Sequence, residues 1–255
     1  MTAAPPPLAL AYHGVAAVPL RRDPHRLFTS PRALTRHVGR LRSYGYRFVT
    51  VGELGRRVAA GDGAGWVALS FDDGFADRLG DVLARLGIPA TVFPVSDWLG
   101  GEHPDFPGAP MLDARRLRAL HAAGVEVGGH TVTHPDLTSV PPGRCLEELV
   151  ESRRRLEAIV EAPVRTAAYP YGAADAATRA ACAAAGYRTA VRTVGLGSWS
   201  DPFDLPRQNM LNGCSTAGLR LKRSGRYEEL VARPLPRAAR RALRRARGHR
   251  RPVPR

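Results

Sequence analysis

Two short stretches hold most of the residues that could do chemistry. In LSFDDGF, residues 69–75, an apolar run ends in the adjacent carboxylates Asp72 and Asp73, followed by Gly74. Neighbouring carboxylates raise each other's pKa unless solvent or a cation reaches them. Either one of the pair caps the next helix, or one of them holds a metal. In GGHTVTHPDL, residues 128–137, His130 and His134 stand four apart. On a helical turn that spacing puts both imidazoles on one face, within reach of a single ion. Two neutral imidazoles and one carboxylate form a ligand set that leaves positions open for water and substrate. One divalent cation fits it, zinc first, with cobalt, nickel and iron also compatible.

These residues need elements to bring them together. Short apolar runs read as strands over 8–12, 46–51, 66–71, 90–95, 125–130, 165–170, 188–193 and 204–211. Between them lie helix-length amphipathic segments at 31–45, 75–87, 113–124, 144–160 and 175–186. Strands alternating with helices imply an α/β fold with a parallel sheet and helices outside. Seven or eight such units would close into a barrel, whose active site lies at the C-terminal strand ends. Four of the strands end in unusual polar residues: His13, the Asp72–Asp73 pair, His130, and Pro170–Tyr171. The long loop 96–112, with Trp98 and Phe106, is expected to shape a groove beside them. His25, His37, His103 and His121 have no partner identifiable in sequence and are expected at the surface.

The net charge of +15 is unevenly placed: residues 233–255 hold ten arginines and no acid. The basicity therefore belongs to a tail, and the body need not bind nucleic acid. The expected division is a catalytic domain over 1–225 and an Arg-rich, flexible tail over 226–255. Such a tail could associate weakly with anionic lipid. Cys145, Cys182 and Cys214 are scattered and odd in number, which suits free thiols better than a disulfide framework or a zinc cluster. With no signal-peptide pattern and no run of about 20 apolar residues, the expected location is the cytoplasm, in part peripheral to the membrane.

Three ordered segments, LSFDDGFAD, GGHTVTHPDL and AAYPYG, resemble the first three motifs of the NodB-type polysaccharide deacetylases, carbohydrate esterase family 4. The similarity runs from about Leu8 to Leu211. It implies a distorted, incomplete TIM-like (β/α) barrel of about seven parallel strands. It further implies that Asp73, His130 and His134 hold the metal and that Asp72 is the general base for the attacking water. The backbone N–H of Tyr171 would stabilise the oxyanion, its ring would line the sugar groove with Trp98, and Thr131 would steady the loop between the histidines.

Two positions depart from the family pattern. The arginine of the third motif, which orients the catalytic aspartate, is replaced by Ala168, and Arg207 in DLPRQN is the candidate to supply that cation. The C-terminal Leu-x-His, source of the general acid, has no counterpart between His134 and the tail residue His249. His13, in LALAYHGV, stands instead where the circularly permuted exopolysaccharide deacetylases carry this histidine. The resemblance thus implies a metal-dependent carbohydrate N-deacetylase acting on an N-acetylated glycan, glycolipid or glycoside. An O-acetyl esterase and a catalytically silent carbohydrate-binding relative are the alternatives, and no specific nucleic acid is expected.

Overall fold

The computed structural model describes residues 4–193 and 197–224. The chain divides into two units, Met1–Leu219 and Arg220–Arg255. All that follows concerns the first unit. The basic tail expected over 226–255, with His249, lies outside the described residues.

The elements run in the order β1 (Leu8–Tyr12), α1 (Pro31–Ser43), β2 (Arg47–Val49), α2 (Val51–Ala59), β3 (Trp66–Asp73), α3 (Leu79–Leu86) and β4 (Thr91–Pro94). A small hairpin follows, β5 (Glu102–His103) and β6 (Phe106–Pro110). Then come α4 (Ala114–Ala122), β7 (Glu126–Val127), α5 (Pro142–Val160), β8 (Thr166–Ala168), α6 (Ala176–Ala184), β9 (Thr189–Arg192), β10 (Leu205–Pro206) and β11 (Gln208–Asn209). Among the described residues no helix is long and apolar enough to cross a membrane.

Side-chain alternation along β1 and β3 builds two layers. Leu8, Leu10, Tyr12, Val67, Leu69 and Phe71 pack outward with the buried faces of the helices. Ala9, Ala68, Phe93, Ala168, Val191 and Leu205 fill the interior between strands. Helix α1 shows how local sequence serves this layer. Ser30 caps its first turn by accepting the N–H of Ala33, Pro31 fits the first helical position, and Leu34, Val38 and Leu41 are fully buried.

The strands pair in parallel in the order β11–β1–β3–β4–β7, with β2 beside the first half of β3. A second set runs β10–β9–β8. A bridge between Gly129 and Ala167 joins the two sets. The segment expected as one strand over 204–211 is two short strands with Arg207 between them. Leu205–Pro206 pairs with β9 and Gln208–Asn209 with β1. The result is an α/β fold with an incomplete barrel.

Several local expectations change. Helix α3 begins at Leu79 rather than 75, and the N–H of Leu79 is taken by Asp77 Oδ1 at 2.8 Å, so Asp72 caps nothing. Loop 96–112 contains the β5–β6 hairpin, and α2 follows β2 directly. His130 and His134 sit on an irregular loop rather than a helical turn. His37 and His103 are buried, not at the surface. His37 is held between the Tyr12 hydroxyl and the Cys214 carbonyl.

Candidate active site

Strand register brings the chemistry to one end of the sheet. Tyr12 lies opposite Phe71, so His13 and Asp72 leave β1 and β3 side by side. On the other flank of β1, Asn209 lies opposite Ala11. Gly129 pairs with Ala167, which sets His130 against Ala168. The resulting cavity, about 360 Å³, is lined among others by His13, Asp72, Asp73, His130, His134 and Tyr171.

Strict alternation would send Asp72 into the interior and Asp73 toward the helices. Asp73 instead takes φ 69°, and both carboxylates line the same cavity. Gly74 follows at φ 91°, where a Cβ would stand 2.8 Å from Pro94 Cβ. Among the described residues, six other than glycine have positive φ, and four of them are Asp73, Thr131, His134 and Tyr171. Left-handed backbone costs roughly 1–3 kcal/mol per such residue and concentrates where function demands it.

Asp73, His130 and His134 each offer a ligand atom within 4.8 Å of the others, the arrangement a single cation needs. Their protonation suits that use. The carbonyl of Ala168 lies 2.7 Å from His130 Nδ1, and a carbonyl only accepts, so this nitrogen carries the proton and the neutral ring would offer Nε2 as its lone pair. Burial, with the imidazole of His130 beside it, pushes His134 down to about 4, so it is neutral at pH 7. Burial pushes Asp73 up, but contact with His103 and the neighbouring imidazoles of His13, His130 and His134 outweigh it. Its carboxyl stays below the usual range, ionised. The donor set therefore fits a divalent cation.

Arg207 reaches Asp72 across 135 positions of sequence. Its two terminal nitrogens donate to Oδ1 and Oδ2 at 2.7 and 2.8 Å, and one also donates to Ser70 Oγ at 2.8 Å. Burial alone would raise the Asp72 pKa; the charge of Arg207, with the neighbouring His130, holds it below the ordinary carboxylate range. Ala168, where the family carries its arginine, is buried on the interior layer. His13 lines the cavity with its Nδ1 buried and unpartnered. Trp98 and Tyr171 flank His134, with ring centres 5.2 and 4.8 Å away, and Tyr171 is 63% exposed.

Three features escaped sequence reasoning. Glu148 on α5 is buried and accepts the N–H groups of Val132 and Thr133 at 2.7 and 2.9 Å and the Thr133 hydroxyl at 2.7 Å. It thereby clamps the histidine loop. Its pairing with Arg144 four residues earlier looks in sequence like an ordinary surface ion pair. Thr131 helps from within the loop, its hydroxyl accepting the His134 N–H at 3.0 Å. The hairpin β5–β6 brings His103 against Asp73 and places Asp105 on the cavity wall, beside Phe106, which was expected there. Asn209 also lines the cavity, with a buried, unpartnered Oδ1. No local pattern marks either of the last two.

Several known proteins resemble this chain. A chitooligosaccharide deacetylase of Sinorhizobium fredii is 37% identical over 119 residues, which are 44% of this chain and 50% of that protein. This chain therefore spans about half the length of that relative. Among solved structures, the deacetylase PplD of Streptococcus pyogenes in complex with acetate superimposes with a TM-score of 0.73 at 22% identity, covering 86% of this chain and 98% of that one. IcaB of Ammonifex degensii gives 0.72 at 21% identity, over 86% and 96%. At such identities the likeness is one of fold. The sequence model of the polysaccharide deacetylases matches residues 60–190, just over half of the chain, and the chain belongs to that family.

Proposed function

We propose that the protein is a metal-dependent carbohydrate N-deacetylase, hydrolysing the acetamide of an N-acetylated glycan, glycolipid or glycoside. The observation that carries this reading is the pairing of a cation-ready Asp73–His130–His134 cluster with an Arg207-clamped Asp72 in one cavity. A divalent cation, zinc by choice of donors, would supply Lewis acidity to the acetyl carbonyl and the attacking water.

The chain's own residues take the remaining parts. Asp72, ionised and fixed in orientation by Arg207, accepts a proton from the attacking water at a carboxylate oxygen. His13, at the end of the neighbouring strand, donates a proton to the departing amine. The backbone N–H of Tyr171 faces the developing oxyanion, and the Tyr171 and Trp98 rings stack against the sugar beside His134. The name of the rhizobial relative favours an amide over an ester as the bond cleaved. On charge alone, the reading extends to residues 226–255 holding the enzyme weakly at anionic lipid. Removing them without loss of binding to anionic vesicles would dismiss that extension.

The test of the central reading combines metal analysis with acetate release. The purified protein should hold close to one divalent metal per chain and release acetate from N-acetylglucosamine oligomers. A chelator or Asp72→Asn should abolish release. Bound metal without turnover on amide or O-acetyl substrates would favour a silent carbohydrate binder. No metal after reconstitution would sink the reading.

A further inference from the structure

Resting on the metal reading above, we propose that His103 is a positioning residue that holds Asp73 to the metal through one oxygen only. The two oxygens of Asp73 face different partners. Oδ1 looks toward the ligand histidines, 3.6 Å from His130 Nε2 and 3.8 Å from His134 Nε2. Oδ2 is the oxygen nearest His103, 3.6 Å from its Nε2.

The tautomer of His103 is settled by its other nitrogen. The backbone N–H of Asp105 donates to Nδ1 at 3.1 Å, so Nδ1 is the lone pair and the proton of the neutral ring sits on Nε2. A protonated Nε2 cannot ligate a metal, but it can donate toward Oδ2. This is the inverse of His130, whose Nδ1 is the protonated atom and whose neutral ring would offer Nε2.

The ring has little room to do anything else. His103 is 5% exposed. It stacks on Phe75 with centres 5.0 Å apart and planes at 3°, and it meets the edges of Phe106 and Trp98 at 5.1 and 4.7 Å. These contacts come from the β5–β6 hairpin, from Trp98 before it and from Phe75 just after Asp73, so the hairpin delivers a fixed donor to the far side of the carboxylate. Engaging Oδ2 denies it to the cation. The metal then keeps three protein ligands, with the remaining positions open for water and the acetyl oxygen.

The experiment compares His103→Phe, which keeps an aromatic ring against Phe75 but has no donor, with His103→Gln, whose amide N–H can still reach Oδ2. Zinc affinity is measured by competition with a chromophoric chelator. Coordination number is read from the visible spectrum of the cobalt-substituted protein, and acetate release gives kcat and KM. With folding checked by circular dichroism, His103→Phe should bind zinc about 10- to 100-fold more weakly, the range typical for loss of a group supporting a ligand. Its cobalt bands should weaken as Asp73 takes a second bond to the metal, and kcat should fall with KM unchanged. His103→Gln should recover part of each. His103→Leu serves as the donor-free variant if the phenylalanine change does not fold. A folded donor-free variant with wild-type zinc affinity and cobalt spectrum overturns the inference. So does a loss that glutamine does not repair and that leaves the spectrum unchanged, since packing alone would explain it. If the wild type binds no metal, the proposed function falls and takes this inference with it.

Discussion

Replacing Arg207 by Met tests the heart of the site. Asp72 and Arg207 are 5% and 3% exposed, and both terminal nitrogens of the arginine are spent on the carboxylate. Methionine fills similar space but leaves the buried Asp72 carboxylate without its charged partner, beside Asp73, His13 and His130 on the cavity wall. Breaking a buried ion pair from one side costs about 3–5 kcal/mol. For a protein of this size each kcal/mol shifts the melting temperature by about 2–4 °C, so a loss of roughly 10–15 °C is expected. Burial then acts on Asp72 unopposed by the arginine, its pKa rises, and the acid limb of the pH–rate profile moves toward neutrality. Pairing the change with Asp72→Asn removes the stranded charge. The double variant should therefore be more stable than Arg207→Met alone, a non-additivity of the kind a double-mutant cycle resolves. Arg207→Lys keeps the charge but not the two-pronged geometry and should fall between. Thermal and urea unfolding of the four proteins, with acetate release, make the measurement. A loss below about 1 kcal/mol for Arg207→Met, or a double variant no more stable than the single, would refute the reasoning.

Two further outcomes are expected. Glu148→Ala leaves two backbone N–H groups and a hydroxyl of the histidine loop without their buried acceptor. At about 1–3 kcal/mol per stranded group, it should destabilise the protein by several kcal/mol and weaken metal binding, while amide exchange at Val132 and Thr133 quickens; unchanged exchange there would rule the clamp out. Asp77 accepts the N–H of Val15, two residues after His13, and of Leu79. Burial pushes its carboxyl up to about 6 from an ordinary 3.8. The folded state thus binds the proton more readily than the unfolded one between about pH 4 and 6. Its contribution favours folding below that window and is lost as pH rises through it, by up to about 3 kcal/mol at 1.36 per pH unit. The stability of the wild type relative to Asp77→Asn should therefore decline from pH 4 to pH 7 and then level off; an equal difference at both ends would contradict the assignment.

The amino-acid sequence by itself determined the alternation of strands and helices, because apolar spacing of two and of 3.6 is a local property. It also determined the polar strand ends. His13, Asp72, Asp73, His130 and Tyr171 interrupt apolar runs, and a parallel sheet has only one end at which such residues can gather. The tertiary structure alone decided what surrounds them. The distance from Arg207 to Asp72 depends on where a strand breaks and re-pairs, over 135 positions of chain. Glu148 has the sequence of a surface helix position and His103 that of a loop, yet packing buries both against the residues they steady. The left-handed turns at Asp73, Thr131 and His134 carry no sequence signal either, since only the folded surroundings hold ordinary residues there. Local periodicity sets where the chain can place a reactive group. Long-range packing sets the direction of that group and its charge.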